Sequence, residues 1–212
     1  MTYPVTAATT PHRLRDRVGY DRAAVHAVLD EAWYCHLAFV ADGAPAQLPT
    51  MHVRLGETVY LHGSTGSGPM LAARAAGGLR VCLAVTLLDG LVYARSQFHH
   101  SANFRCVVAH GTAAPVTEAA ERDRAFAALV DKLGPGRAAD SRGVSPREHA
   151  QTALLRLELT EVSLKSRAGA PADDPEDLDL PHWAGVVPLR LTPGTPVPDA
   201  GTAAPAPAYL PS

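Results

Sequence analysis

The sequence predicts a mainly β (α+β) fold in which an antiparallel sheet closes on itself and carries a few flanking helices. Three observations predict it. Short apolar runs with strand periodicity recur along the chain, tight turn signals such as Asp42-Gly43 separate neighbours, and few segments have helical spacing. That pattern favours a closed barrel over the alternating strands and helices of a doubly wound parallel sheet.

Residues 1–19 mix Thr, Pro and Arg without apolar periodicity, which predicts a flexible or loosely docked arm. The folded domain is expected to span 20–190. Asp21 is placed to cap a helix in which Val25, Val28, Leu29 and Ala32 share one face. Trp33 to Ala41 reads as a strand, Asp42-Gly43 as a hairpin turn, Pro45 to Val53 as the returning strand and Thr58 to Gly63 as the third. A helix opens at Pro69 and stops at Gly77-Gly78. Leu79 to Leu88 is apolar at nearly every position, as in a central strand buried on both faces. Asp89-Gly90 is a second turn signal, which makes Leu91 to Arg95 a separate strand, and Asn103 to Ala113 brings the count to six.

Thr117 is placed to cap a helix with Glu118 in its first turn and Ala125, Phe126, Leu129 and Val130 on one face, and Ser145-Pro146 opens a shorter one. In Ala153 to Leu164, leucines 155, 157 and 159 alternate with polar residues, giving a half-exposed strand that closes the sheet. Beyond Ala168 the chain is rich in Pro, Ala, Gly and Asp. Trp183 within Pro181 to Pro188 is a candidate docking residue, and 191–212 is expected to be a disordered Pro/Ala-rich tail.

Composition excludes several classes of function. The 212 residues carry a formal charge of −2 with both signs scattered, so neither a nucleic-acid surface nor a polybasic membrane surface is expected. No apolar run approaches the roughly 18 residues of a membrane helix. Cys35, Cys82 and Cys106 each sit in an apolar run without metal-ligand spacing, which predicts reduced thiols, no protein metal site and a cytoplasmic location.

The stretch that carries chemistry is Val59 to Met70. An apolar strand with Tyr60 and His62 on one face breaks at Gly63 into Ser64, Thr65, Gly66 and Ser67, and Pro69 then begins a helix. Hydroxyls, glycine backbone and a helix start together form an anion cradle suited to a phosphate; the same residue types also make an ordinary strand-turn-helix connection. No Gly-Lys-Ser/Thr follows, so this is not a Walker loop.

In combination with His36, Pro49-Thr50, Leu88 to Arg95, Phe98 to Arg105 and Lys165 to Gly169, this stretch resembles the pyridoxamine 5′-phosphate oxidase-like flavin-nucleotide-binding proteins, nearest the nitroimidazole-resistance branch, from about Tyr20 to Pro188. The resemblance implies a six-stranded antiparallel split β-barrel and a homodimer with two sites across the subunit interface. It also implies FMN as cofactor and an oxidoreductase acting on a small-molecule substrate. Cofactor contacts are then expected from Pro49, Thr50, His62, Gly63, Ser64, Thr65, Ser67, Asn103, Arg105, Lys165 and Arg167. Asn103 and Arg105 share one face of their strand, as such a role needs.

The chain departs from the family in one place. Many flavin-binding relatives carry Arg or Lys directly after the Gly-Ser loop, where this sequence has Gly68-Pro69-Met70. Arg74 and Arg105 are then the cations left for the phosphate. His62 stands where nitroimidazole-resistance relatives carry a functional histidine, so it is the candidate catalytic residue, and haem with His62 as axial ligand is the alternative cofactor. His62 also reads as a histidine satisfied by its loop, and Lys165 with Arg167 as an exposed basic strand end. His99 and His100 read as turn or interface residues, and His36 and His110 as core or interface residues. A non-catalytic cofactor-binding module is the third functional class.

Overall fold

The computed structural model describes residues 1–75 and 77–210; residue 76 and the last two residues of the expected tail lie outside the described residues. A two-residue strand, β1 (Val18–Gly19), precedes helix α1 (Arg22–Glu31). Asp21 caps α1 through its side chain, which accepts from the Ala24 N–H at 2.9 Å, and Val25, Val28 and Leu29 form its buried face. Strands β2 (Tyr34–Ala41) and β3 (Ala44–Leu55) are joined at Asp42 and Gly43, whose φ angles of 51° and 78° are those of the predicted two-residue hairpin turn. β4 (Thr58–Ser64) leads into a five-residue helix, α2 (Gly68–Ala72), which ends earlier than the glycine pair at 77–78 suggested.

β5 (Leu79–Tyr93) runs straight through Asp89-Gly90 and corrects the predicted turn there. Gly90 is not in the left-handed region that a primed turn needs, and the pairing with β6 (Ser101–Pro115) merely slips between Leu88 and Gly90, as a bulge does. A Cβ on Gly90 would lie 3.1 Å from the Val187 carbonyl, so its small size serves the approach of a later strand. α3 (Ala119–Asp131) is capped by Glu118 rather than Thr117, and α4 (Pro146–Gln151) opens with the capping box of Ser145 and Glu148. The expected closing strand is two: β7 (Thr152–Glu158) and β8 (Glu161–Arg167), broken at Leu159-Thr160. Last comes β9 (Gly185–Pro188).

Six strands form a closed ring in the order β2-β3-β4-β7-β6-β5, antiparallel throughout, as a split barrel requires. β6 makes the split: Phe104 to His110 pair with β8, whereas Ala114 and Pro115 pair with β7. β5 divides its edge similarly between β2 and β9. Leu37, Leu61, Leu83, Val107, Leu155, Leu157 and Val162 fill the ring interior with α1 closing one end, and Tyr60, Ala125, Leu129 and Leu154 form a second core under α3.

One further expectation is corrected, and both ends of the chain make contacts of their own. β5 is buried on one face only: Val81, Leu83 and Val85 point inward, while Cys82 and Ala84 are half-buried on the outward face. His36, Ala38, Val108 and His110 stand opposite them on β2 and β6, so a largely apolar sheet face is left half covered. The start of the N-terminal arm is docked, because Tyr3 is 2% exposed and its hydroxyl lies 2.8 Å from Glu57 Oε2 and 3.0 Å from His26 Nε2. The tail beyond Leu191 has no strand or helix among its described residues, yet Tyr209 packs on Gly134 and donates to Asp140 at 2.8 Å.

Cys35 is buried, Cys82 and Cys106 are half-buried, and all three are free thiols. Burial pushes the Cys35 thiol up to about 12, which leaves it unreactive. No helix among the described residues is long and apolar enough to cross a membrane.

Candidate functional site

The expected site residues fall into two groups at opposite ends of β6. The first surrounds the anion cradle. On β4 the alternation puts Val59 and Leu61 into the ring; Tyr60 is covered by α3 and donates to Glu121 at 2.8 Å, while His62, on the same face, emerges into solvent. Gly63 is where Met70 passes beneath the strand, since a Cβ there would lie 2.8 Å from the Met70 methyl. Much of the loop backbone is already paired. Thr65 N–H donates to the Gln151 carbonyl at 3.0 Å, Ser67 N–H to the Ser64 carbonyl at 2.9 Å, and Gly66 N–H to Ser64 Oγ at 3.4 Å. A five-residue α2 also adds little dipole, so the cradle rests on hydroxyls more than on backbone.

Beside the loop lies a cleft of about 660 Å³ lined by Thr65, Met70, Arg74, Arg122, His149 and Thr152 among others. Arg122 is held by the carbonyls of Val116, His149 and Thr152 at 2.9–3.3 Å. Exposed Arg74 forms no ion pair among the described residues and is the cation nearest to replacing the one missing after the glycines.

The second group gathers where β6 begins. Asn103, buried to 8% exposure, donates to the Gly169 carbonyl at 3.1 Å and accepts from Arg167, whose other amino group reaches the Ala170 carbonyl at 2.9 Å. These two residues therefore shape the turn after β8. Arg105 is gripped by two carboxylates: Asp89 at 2.8 and 3.0 Å, and Glu31, the last residue of α1, at 2.5 and 2.9 Å. The Arg105 guanidinium holds the Glu31 carboxyl below its ordinary range, and both acids raise the guanidinium in return. The cluster carries a formal charge of −1, so in this arrangement Arg105 offers no free cation to a phosphate. Lys165 is exposed, facing outward opposite Cys106, while Pro49 and Thr50 pair with His36 and Cys35 midway along the β2–β3 hairpin.

A second cleft, about 760 Å³, opens over Arg105. Trp33, Tyr34, Thr86 and Leu88 line it, and Pro188 to Thr192 cross it. The sequence offers Asp89 only as a turn residue and gives Glu31 no local signal; the topology, which brings the end of α1 to the β5 bulge, makes them Arg105 partners. The stretch of β6 from Arg105 to Pro115 has a contour of roughly 33 Å at about 3.3 Å per residue, and the two groups lie at its opposite ends.

A buried basic pair lies apart from both clefts. His52 is wholly buried with Nε2 2.9 Å from the Leu29 carbonyl, and its Nδ1 has no partner among the described residues. Lys132 Nζ reaches the same carbonyl at 3.2 Å. Burial pushes His52 down to about 4 and Lys132 down to about 8.

Comparisons with known proteins agree with this architecture. No curated protein sequence matches the chain. Among solved structures, the flavocytochrome Anf3 from Azotobacter vinelandii is 35% identical with a TM-score of 0.90, over 96% of this chain and 95% of its own. An FAD and haem binding protein from Mycobacterium smegmatis is 36% identical with a TM-score of 0.85, over 91% of this chain and 95% of its own. A Bacteroides thetaiotaomicron structure named for 5-nitroimidazole antibiotic resistance shares the fold at 15% identity and a TM-score of 0.58, over 70% of this chain and 85% of its own. The family model described as pyridoxamine 5′-phosphate oxidase matches residues 21–166, and with these full-length likenesses the chain belongs to the pyridoxamine 5′-phosphate oxidase-like family.

Proposed function

We propose that the protein binds a flavin nucleotide between two copies of the chain and acts as a flavin-dependent oxidoreductase on a small-molecule substrate in the cytoplasm. The observation that carries this is the near full-length likeness to two proteins named for flavin-type cofactors. Two features of the chain support it. The half-covered apolar face of β2, β5 and β6 is suited to a second copy, and the two groups of site residues, separated along β6, would complete a site only across such an interface.

The residues present fit a flavin. Both clefts lie within the roughly 300–1,000 Å³ usual for ligands. Trp33 and Tyr34 offer flat aromatic walls, while Ser64, Thr65, Ser67 and Arg74 offer donors to a phosphate. The bound flavin supplies the electron transfer; the chain orients it and excludes water. FMN is the form expected from the sequence. FAD is favoured by the name of the mycobacterial relative and by a cradle with few free donors for a terminal phosphate dianion. Titration of apo-protein with each flavin, followed by fluorescence quenching, tests the reading: saturable binding of either supports it, and binding of neither refutes it.

Haem is a second reading, favoured because the mycobacterial relative is named for haem as well as FAD and the other is named a flavocytochrome. The histidines of the chain supply the ligand type that haem iron takes.

A further inference from the structure

We infer that the ligand to a haem iron on this chain is Nε2 of His100, and that the exposed aromatic patch around it is the porphyrin-binding surface. The inference rests on the haem reading above and departs from the expectation of His62.

The first ground is which ring nitrogen is engaged. His100 Nδ1 lies 3.0 Å from the Ser96 carbonyl, and a carbonyl only accepts, so the proton sits on Nδ1 and the lone pair on Nε2. A ligating imidazole is characteristically fixed this way, with its other N–H held by a carbonyl or carboxylate that sets tautomer and orientation. His26, His52 and His99 are engaged through Nε2 instead, by Tyr3, the Leu29 carbonyl and Asp174, and His149 turns Nε2 toward Asp123 at 3.3 Å. Among the described residues, His100 is the one histidine anchored through Nδ1 with Nε2 left for a metal. His62 has no hydrogen-bond partner among the described residues, so nothing fixes its tautomer or orientation.

The second ground is the surface. His100 stands edge-on to Tyr93 with ring centroids 5.9 Å apart, and Tyr93 stands edge-on to Trp183 at 5.7 Å. Trp183 is 67% exposed, and Leu91 and Val187 are exposed on the adjoining β5 and β9 strands, while Phe98, 87% exposed, stands edge-on to the neighbouring His99 at 5.1 Å. A row of His100, Tyr93 and Trp183 this open, flanked by Leu91 and Val187, matches a broad flat apolar ligand carrying a metal at its centre.

Difference spectroscopy of hemin titrated into the full chain tests this, with His100→Gln, His100→Gly and His62→Gln alongside. Wild type and His62→Gln are expected to give the same Soret band, and His100→Gln to weaken hemin uptake at least tenfold with an unchanged thermal midpoint, since His100 is exposed. Added imidazole is expected to restore the wild-type spectrum to His100→Gly. If both histidine variants lose the band, imidazole rescue of His100→Gly keeps His100 as a ligand, and absence of rescue overturns it. An unaltered Soret band in His100→Gln overturns the inference while leaving the haem reading intact. No Soret band in the wild type overturns both, and leaves the flavin reading to its own titration.

Discussion

The Arg105 guanidinium joins the Glu31 carboxylate at the end of α1 through two hydrogen bonds of 2.5 and 2.9 Å, tying the helix that closes the ring to the first turns of β6. A residue that the sequence offers to a phosphate is thereby a structural clasp. Arg105→Ala is expected to lower stability by about 1–2 kcal/mol, the value of charge-assisted bonds reduced for partial exposure, because it leaves Glu31 and Asp89 facing each other unscreened. Flavin affinity is expected to change less than threefold. Urea melts and flavin titration of the same variant check both halves.

Arg74 is the cation predicted to matter at the cradle. Arg74→Ala is expected to weaken flavin about tenfold, equivalent to roughly 1.4 kcal/mol, and Gly68→Arg to restore or exceed wild-type affinity by placing a guanidinium beside the loop. Gly68 has open space for a side chain, so the second substitution is expected to fold normally.

The buried basic pair predicts two pH windows. His52 is held down at about 4 against an ordinary 6.5, so between these values the unfolded chain binds a proton that the folded chain refuses. Stability then falls as pH drops from 6.5 toward 4, by about 3 kcal/mol in all. Lys132, lowered from 10.5 to about 8, follows the same sign: stability rises as pH climbs from 8 toward 10.5, by about 2 kcal/mol after allowance for partial exposure. Urea denaturation across pH should show both slopes, and Lys132→Met should abolish the alkaline one.

Each terminus carries its own prediction. Tyr3→Ala is expected to cost about 3 kcal/mol, since the ring is as buried as any core aromatic and supports Arg22 at 4.5 Å. Truncation after Arg190 should move the melting midpoint by no more than about 3 °C, because the contacts of Tyr209 lie at the surface. Truncation after Leu180 removes β9 and the Trp183 contact and should lower it by more.

Much of this fold was legible because its turn and cap chemistry is local. Asp42-Gly43, Asp21 and Ser145-Pro146 did what their types dictate. Asp89-Gly90 misled for a tertiary reason: β6 and β9 hold β5 extended through a dipeptide that alone would turn. Tyr3 gave no periodic signal, being a single residue docked from an otherwise polar arm. The cradle was visible as a run of types, but the pairing of Arg105 with Glu31 spans 74 positions and has no local signature. Nor does sequence spacing reveal which nitrogen of His100 is held.

Native mass spectrometry of the purified protein with excess FMN or FAD decides whether two chains share the flavin, because one spectrum reports both assembly and cofactor. A species with the mass of two chains and two flavins is expected. A chain that stays monomeric and takes up neither flavin at micromolar concentration would contradict it.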